Sequence, residues 1–306
     1  MPPEEGAGTA YLAPPGFEAE LAHELHPDGV ALGGRLFFAP GPPRDVAWVA
    51  NIWYAPRRIE ITSINEAARA LRAIQRNWAL YSIDLHRRAA LIAERLPTVS
   101  AKPLIFGASP PSAPLGSWTL LDERTLLAAP HCRSAFPHGE ITFVENHALP
   151  PSRAYLKLWE LFTLLSDAPK PGELCLDLGA APGGWSWVLA GQGARVMSVD
   201  KAALDPAIAG LPGLFHHRES AFGLDPRRTG PIDWLFADLA CYPQRLFTLV
   251  QRWREAGTCK RFVCTLKFQG ATDHEIIARF RAIPGSRLLH LHHNKHELTW
   301  VLLPAL

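Results

Sequence analysis

Two aspartates and a glycine-rich turn lie close together in the stretch CLDLGAAPGGWSWVLAGQGARVMSVDK, from Cys175 to Lys201. One apolar run ends at Asp177, small residues follow, a helix is predicted from about Trp185, and a second apolar run ends at Asp200. The pattern predicts one β-α-β unit with an acid at the carboxyl end of each strand. Such a turn can bring backbone groups against a bound small molecule while the acids accept hydrogen bonds from it.

The positions of the glycines limit which small molecule this turn could hold. They stand at 179, 183 and 184, so the dinucleotide pattern G-x-G-x-x-G is absent and no glycine is placed to admit a pyrophosphate. The turn therefore favours a ligand without phosphates, such as S-adenosylmethionine, whose ribose hydroxyls Asp200 would bind. Two alternatives stay open: the glycines only permit a tight turn, or the acid belongs to an NAD-binding unit, which also ends its second strand with one.

Seven strand-like segments follow from about residue 173: ELCLDLG, ARVMSVD, LFHHRES, DWLFADL, RFVCTLKF, SRLLHLHH and ELTWVLL. Helical segments separate most of them, which predicts a mostly parallel sheet covered on both faces. The last two segments are too close together for a parallel crossover, so they must form an antiparallel hairpin. The expected fold class is α/β: a Rossmann-like seven-stranded sheet with an antiparallel last strand, the methyltransferase variant of the doubly wound fold.

The first half of the chain follows a different pattern. PGFEAELAHEL and SINEAARALRAIQ are predicted helices, the second opened by the capping box Ser63-x-x-Glu66, and RRIEITS is a predicted strand. Residues from about 97 to 118 are rich in proline, glycine and serine, and WTLLDERTLLAAP after them is typical of a hairpin. We therefore expect a small α+β domain over 1–100, a linker and hairpin over 101–150, and the Rossmann-like domain over 151–306.

Composition and charge exclude several classes of protein. The chain has 306 residues, 48% hydrophobic and 20% charged, with a net charge of +2, which is typical of a globular protein of one or two domains. No apolar run is long enough for a membrane span, and the start MPPEEGAGTAYLAPP lacks the features of a secretory signal. We expect a cytoplasmic protein without a membrane partner. Arginines dominate the basic residues, so phosphate recognition remains open.

The segments SRAYLKLWEL and DLGAAPGGWS resemble the FtsJ-like (RrmJ-type) family of S-adenosylmethionine-dependent RNA ribose 2′-O-methyltransferases. The resemblance covers about 152 to 303. The family uses a Lys-Asp-Lys-Glu tetrad, whose counterparts here are Lys157, Asp238, Lys267 and Glu297. Within the family the likeness is greatest to the RlmM type, through APPGFEAELAHEL and SRAYLKLWELF. That type methylates a cytidine ribose in large-subunit (23S) ribosomal RNA, so the resemblance implies ribosomal RNA as partner and substrate.

The resemblance also implies which residues hold the cofactor. Ser220 stands where the family usually has an acid for the adenine amino group. Together with the residues of the turn, the predicted cofactor contacts are Asp177, Gly179, Ala180, Ala181, Pro182, Gly183, Gly184, Trp185, Asp200, Ser220 and Asp238.

The four tetrad positions also suit methyl transfer on physical grounds. Asp238, Lys267 and Glu297 each lie at or near the end of an apolar strand, and such ends converge on the ligand crevice of an open α/β sheet. Lys267 is the candidate general base, although a lysine pKa of about 10.4 must be lowered toward about 7 to 8 for that task. Lys157 would supply the second cation, Asp238 would orient Lys267, and Glu297 would fix Lys157 or the hydroxyl.

Other interpretations of the sequence stay open. The acceptor could be another RNA, such as tRNA or mRNA, a protein or a small molecule, or the chain could be an RNA assembly factor without catalysis. The histidines of HLHHNKHE could bind a metal, but no cysteine or acid stands at zinc-ligand spacing, so we expect no metal. The N-terminal region holds paired arginines and none of the tetrad, so we expect it to guide RNA.

Overall fold

Residues 8–100, 102–165 and 167–304 are described by the computed structural model. The chain forms two units, Met1–Phe143 and Val144–Leu306. The hairpin that the sequence assigns to the linker over 101–150 therefore lies within the first unit. Residues 1–7 of the predicted first domain and 305–306 of the last lie outside the described part.

The N-terminal unit consists of short strands and three α-helices in its described residues. In chain order they are β1 (Gly8–Leu12), α1 (Glu18–Leu25), β2 (Val30–Gly33), β3 (Leu36–Pro40), β4 (Asn51–Tyr54), β5 (Arg57–Glu60), α2 (Ile64–Ile74), β6 (Trp78–Leu80), α3 (His86–Ala93), β7 (Gly116–Asp122), β8 (Thr125–Ala129) and β9 (His131–Cys132). The predicted helices and the predicted hairpin are present. Ser63 caps α2 as predicted, since its Oγ accepts the N–H of Glu66 at 3.2 Å.

Two sheets organise these elements. One has the order β2-β3-β1-β4-β9 and is antiparallel throughout, and the other has the order β5-β8-β7-β6. In the second sheet β5 and β7 are antiparallel to β8, whereas β6 is parallel to β7. The apolar faces of α2 and α3 pack on this sheet in a cluster that includes Leu71, Ala89, Ile92 and Trp118. The unit is therefore α+β, as the sequence predicts.

The C-terminal unit contains the predicted seven-stranded sheet. Its elements are α4 (Tyr155–Leu165), β10 (Leu174–Leu178), α5 (Gly184–Gly191), β11 (Arg195–Val199), α6 (Pro206–Ala209), β12 (Leu214–His217), α7 (Pro226–Thr229), β13 (Trp234–Ala237), α8 (Pro243–Ala256), β14 (Arg261–Lys267), α9 (His274–Arg281), β15 (Ser286–Leu289) and β16 (Glu297–Leu302). The strand order is β12-β11-β10-β13-β14-β16-β15.

Strand direction explains how the sheet positions its charged residues. The first five strands of the unit are mutually parallel, and β16 lies antiparallel between β14 and β15. Because β16 runs the opposite way, its first residue, Glu297, lies at the edge where the parallel strands end. The predicted antiparallel hairpin is confirmed. In the described residues no helix is long and apolar enough to cross a membrane.

Candidate active site

A cavity of about 500 Å³ opens at the carboxyl ends of the parallel strands. Ten of the predicted cofactor contacts line it: Asp177, Gly179, Ala180, Ala181, Pro182, Gly184, Trp185, Asp200, Ser220 and Asp238. The eleventh, Gly183, does not line the cavity but precedes helix α5 in the same turn. Of the tetrad, Asp238 and Lys267 line the cavity, whereas Lys157 and Glu297 lie behind them.

Two positions in the turn after β10 require glycine. Gly179 has φ +80° and Gly183 has φ +118°, conformations that L side chains rarely adopt. A Cβ at Gly179 would come within 2.9 Å of the Leu239 side chain, and one at Gly183 within 2.7 Å of Ile208. A side chain at either position would therefore strain the backbone and clash with Leu239 or Ile208.

Asp200 holds this turn through its own carboxylate. One oxygen accepts the N–H of Ala181 at 3.1 Å, and the other accepts the N–H of Ala202 at 2.9 Å. A carboxylate oxygen can accept more than one hydrogen bond, so Asp200 keeps capacity for a ligand hydroxyl. Asp200, which the sequence predicts to bind the ribose of the cofactor, thus also holds the glycine turn in place.

Asp177 is an unusual carboxyl group because it is buried at the floor of the cavity. Burial raises its pKa to about 7, although the Ser186 hydroxyl donates a hydrogen bond of 2.6 Å to one oxygen and opposes the shift. The other oxygen, Oδ1, has no hydrogen-bond partner among the described residues. A buried acceptor without a donor is costly, so a ligand that brings an N–H group to Oδ1 would be favoured there.

The four tetrad side chains form one connected set of ion pairs. Lys157 Nζ lies 3.2 Å from both carboxylate oxygens of Asp238 and 2.8 Å from Glu297 Oε1. Lys267 Nζ lies 2.9 Å from Asp238 Oδ1 and donates to the Asp238 backbone carbonyl at 2.7 Å. Asp238 is therefore shared by the two lysines, and the structure brings all four predicted residues together.

Three elements of the sheet and one helix produce this convergence. Asp238 follows β13, Lys267 ends β14, and Glu297 begins β16, where the antiparallel register pairs it directly with Lys267. Lys157 comes from the first turns of α4.

Burial and charge act in opposite directions on the groups of this set. Burial disfavours the charged form of Lys157, but the carboxylates of Asp238 and Glu297 outweigh it, so the pKa of Lys157 is raised. Burial likewise disfavours ionised Asp238, but Lys157 and Lys267 outweigh it, so the pKa of Asp238 is lowered. Lys157 is consequently held as a cation and Asp238 as an anion.

The two lysines differ in their access to a substrate. The side chain of Lys267 is 27% exposed and lines the cavity, whereas that of Lys157 is 11% exposed and does not. Lys267 is thus the ammonium group that a molecule in the cavity can reach. The set can therefore hold the amine of Lys267, which a substrate can reach, against the carboxylate of Asp238. The buried ammonium group of Lys157 balances the charge of that carboxylate.

Sequence reasoning identified only Ser220 in one wall of the cavity, which consists of the loop after β12 and the start of α8. Glu219, Ala221 and Phe222 line the cavity there. The guanidinium of Arg245, which also lines it, lies 3.7 Å from the centre of the Phe222 ring. No motif marks these residues, and only their position after two strand ends could have indicated them.

The two tryptophans of the WSWVL segment have different neighbours. Trp185 lines the cavity, as expected of a cofactor contact, yet its Nε1 donates to the Ala154 carbonyl at 3.0 Å. Trp187 packs against Tyr155 and Trp159 of α4. Trp187, which is half-buried, thus belongs to the packing between α4 and α5.

The histidines near the last hairpin take separate partners. His290 Nε2 lies 3.1 Å from the Lys295 carbonyl, His293 Nδ1 lies 2.7 Å from Glu160, and His296 Nε2 lies 2.8 Å from the Thr272 hydroxyl. Among the described residues no group of three or more histidine, cysteine, aspartate or glutamate side chains is arranged to hold a metal ion.

Comparisons with known proteins point to one family. A family model described as FtsJ-like methyltransferase matches residues 150–244, which include the glycine turn, Lys157 and Asp238. A protein named ribosomal RNA large subunit methyltransferase M from Methylococcus capsulatus is 29% identical over 98% of this chain and 88% of its own length. Proteins of that name from Aromatoleum aromaticum and Halorhodospira halophila are 35% and 34% identical over 49% and 58% of this chain.

The alignments to the last two relatives cover 45% and 54% of their own lengths. Among solved structures, TrmN from Thermus thermophilus is similar with a TM-score of 0.38 and 15% identity, over 97% of this chain and 99% of that one. The chain contains an FtsJ-like methyltransferase domain and is a homologue of the proteins named ribosomal RNA large subunit methyltransferase M.

Proposed function

We propose that this chain transfers a methyl group from S-adenosylmethionine to the ribose 2′-hydroxyl of a cytidine in large-subunit (23S) ribosomal RNA. The observation that carries the proposal is the ion-paired set of Lys157, Asp238, Lys267 and Glu297. This set lies beside the cavity that the glycine turn lines. The name of its relatives supports ribosomal RNA of the large subunit as the substrate.

The cavity fits S-adenosylmethionine by a feature of its own. The unpaired Oδ1 of buried Asp177 can accept a hydrogen bond from the amino group of the cofactor. Asp200 and Ser220 would contact the ribose and adenine ends. When bound, this cofactor supplies a methyl group on a positively charged sulfur.

The tetrad would prepare the ribose hydroxyl for that methyl group. Lys267 accepts the hydroxyl proton on Nζ, and Asp238 holds this amine through its carboxylate and its carbonyl. Lys157 stays protonated between Asp238 and Glu297, so the buried carboxylates keep a balancing charge while Lys267 cycles.

Mapping 2′-O-methyl groups in ribosomal RNA tests the substrate. We expect one cytidine of the large-subunit RNA to carry the group in cells with the chain and to lack it in cells without it, with the mark restored by the wild-type chain. Restoration should fail with Lys267→Arg. An unchanged map, with methyl label found instead in protein, in small molecules or in another RNA, would contradict the proposal.

Calorimetry tests the cofactor. We expect S-adenosylmethionine to bind and NAD to give no heat of binding, because the turn lacks the glycine spacing that admits a pyrophosphate. Binding of NAD without binding of S-adenosylmethionine would reverse the assignment.

We propose further that the N-terminal unit guides RNA through exposed arginines on α2 and α3. Arg69 and Arg72 are exposed on α2, and Arg87 is exposed on α3, beside it on the same sheet. These side chains can pair with phosphates in any sequence.

Replacing Arg69, Arg72 and Arg87 together by glutamine should weaken RNA binding and reduce its salt dependence. The log–log slope should fall by about 0.7 for each phosphate of single-stranded RNA that an arginine no longer neutralises. Affinity for S-adenosylmethionine should stay unchanged. Arg287→Gln, an exposed arginine on β15 of the other unit, is the matched control.

If the triple variant has the RNA affinity and salt slope of the wild type, these arginines do not guide RNA. Deleting residues 1–100 would be a poor test, because the deletion removes β5 and β6 from the sheet that they form with β7 and β8.

A further inference from the structure

Another buried carboxylate lies three residues beyond Lys157 on α4 and takes no part in the reaction proposed above. Glu160 is 1% exposed, and its carboxylate accepts hydrogen bonds from one turn of the chain. The N–H of His292 donates at 2.7 Å, the N–H of His293 donates at 3.0 Å, and the Nδ1 atom of His293 lies at 2.7 Å. Glu160 therefore joins α4 to the turn that precedes β16.

This junction is specific because a carboxylate is rarely buried without such partners. Burying a charged group costs free energy unless hydrogen bonds or an opposite charge compensate it. Here two adjacent backbone N–H groups and one ring nitrogen converge on the two oxygens of Glu160. A displacement of the turn would leave this carboxylate without donors, so Glu160 restrains the backbone at His292 and His293.

The same face of α4 reaches the same segment twice. Lys157 and Glu160 are three residues apart, so they lie on one face of the helix. Lys157 holds the carboxylate of Glu297 at 2.8 Å, four residues after the turn that Glu160 holds. Within the segment, Asn294 Nδ2 donates to the Glu297 carbonyl at 3.3 Å. Helix α4 thus fixes both ends of residues 293–297.

The strand ladder fixes Glu297 on one side only. Glu297 is the first residue of β16 and is paired with Lys267, the last residue of β14. The chain before it belongs to the turn, so the direction in which the Glu297 side chain leaves the sheet depends on how that turn is held. The Thr272 hydroxyl and the Phe268 N–H hold residue 296, and the contact of Glu160 adds a restraint at the start of the turn.

We propose that Glu160 is a positioning residue for methyl transfer. By holding the His292–His293 turn, it positions the carboxylate of Glu297 against Lys157. Lys157 in turn contacts Asp238, which orients the base Lys267. Glu160 touches none of the reacting groups. This inference rests on the proposed function and adds a residue outside the tetrad to it.

A double-mutant cycle tests the inference. Glu160→Gln keeps the shape of the side chain but turns one acceptor oxygen into a donor NH₂ group, which opposes the N–H groups of the turn. In the full chain we expect this variant to lower the single-turnover rate of RNA methylation by about tenfold. In a chain that already carries Glu297→Gln, the same substitution should change the remaining rate by less than about twofold, because its target is gone.

Controls separate positioning from loss of stability. Ser286→Ala removes hydrogen bonds to the carbonyls of Phe280 and Ile283 at the far end of the β15–β16 pair. This variant should lower the midpoint of thermal unfolding while leaving the rate unchanged. Should Glu160→Gln fail to fold, His293→Ala keeps both backbone hydrogen bonds and should show a smaller loss of rate with the same dependence on Glu297.

Two results would overturn the inference in different ways. If the wild-type chain methylates RNA and Glu160→Gln lowers the rate by the same factor with and without Glu297→Gln, the effect of Glu160 does not pass through Glu297 and the positioning role is wrong. No methylation of RNA by the wild-type chain would overturn the proposed function and this inference with it. A loss of rate that depends on Glu297, together with unchanged S-adenosylmethionine affinity, would support the positioning role.

Discussion

Lys267→Arg is expected to lower the single-turnover rate of methyl transfer by about 10² to 10⁴, the usual cost of losing a general base. Lys267 is the lysine of the set that lines the cavity, and it lies 2.9 Å from Asp238 Oδ1. Arginine keeps the positive charge, but its guanidinium stays protonated in proteins and cannot take the ribose proton. Calorimetry should show S-adenosylmethionine affinity close to that of the wild type.

The control for this substitution lies at the opposite end of the same strand. Lys260 is exposed and immediately precedes β14, so Lys260→Arg should leave the rate unchanged. A Lys267→Arg chain within about threefold of the wild type would mean that Lys267 supplies charge or orientation but not a proton acceptor.

The strand ends of the site could be predicted from the sequence because each closes a short apolar run. Asp177, Asp238 and Lys267 follow such runs, and the short connection before Glu297 predicts the antiparallel strand that returns it to the same edge. Chain direction in the sheet then places these residues together without any knowledge of side-chain contacts.

The contacts of α4 could not be predicted in the same way. Eight successive residues, Tyr155 to Phe162, are buried, so no polar face shows which way the helix is turned. The resemblance to a family identifies Lys157, but neither periodicity nor composition indicates that Glu160 reaches the turn at His293, 133 residues away. That contact depends on how the helix packs against the sheet.

Composition also misplaces the boundary between the two units. The proline- and glycine-rich stretch from about 97 to 118 is typical of a linker, yet β7 and β8 after it complete a sheet with β5 and β6. The pairing of Arg57 with Ala128 joins residues far apart in the sequence. Local composition carries no information about such pairing, whereas the two strands of the hairpin itself are adjacent and could be predicted.

Asp238→Asn is expected to reduce both stability and catalysis, because this carboxylate lies between two ammonium groups. Its pKa is lowered: burial opposes ionisation, but Lys157 and Lys267 outweigh it. Asparagine keeps the shape and leaves Lys157 with Glu297 alone. Removing one partner from a buried ion pair costs about 3 to 5 kcal/mol, and the rate should fall by about 10² or more as Lys267 loses its orientation.

The sign of the pH dependence distinguishes this charge effect from a loss of packing. A carboxyl group with a lowered pKa in the folded state stabilises the protein above its unfolded pKa, and that stabilisation is lost as pH falls through the folded value. The difference in unfolding free energy between the wild type and Asp238→Asn should therefore be largest near neutral pH and shrink as the solution becomes acidic, which denaturant unfolding measures. Asp233→Asn, at the other end of β13, should show little difference at any pH, because an asparagine oxygen can still accept the Leu174 N–H. A deficit in Asp238→Asn that stays constant with pH would contradict the ion-pair explanation, since packing alone does not depend on the charge of residue 238.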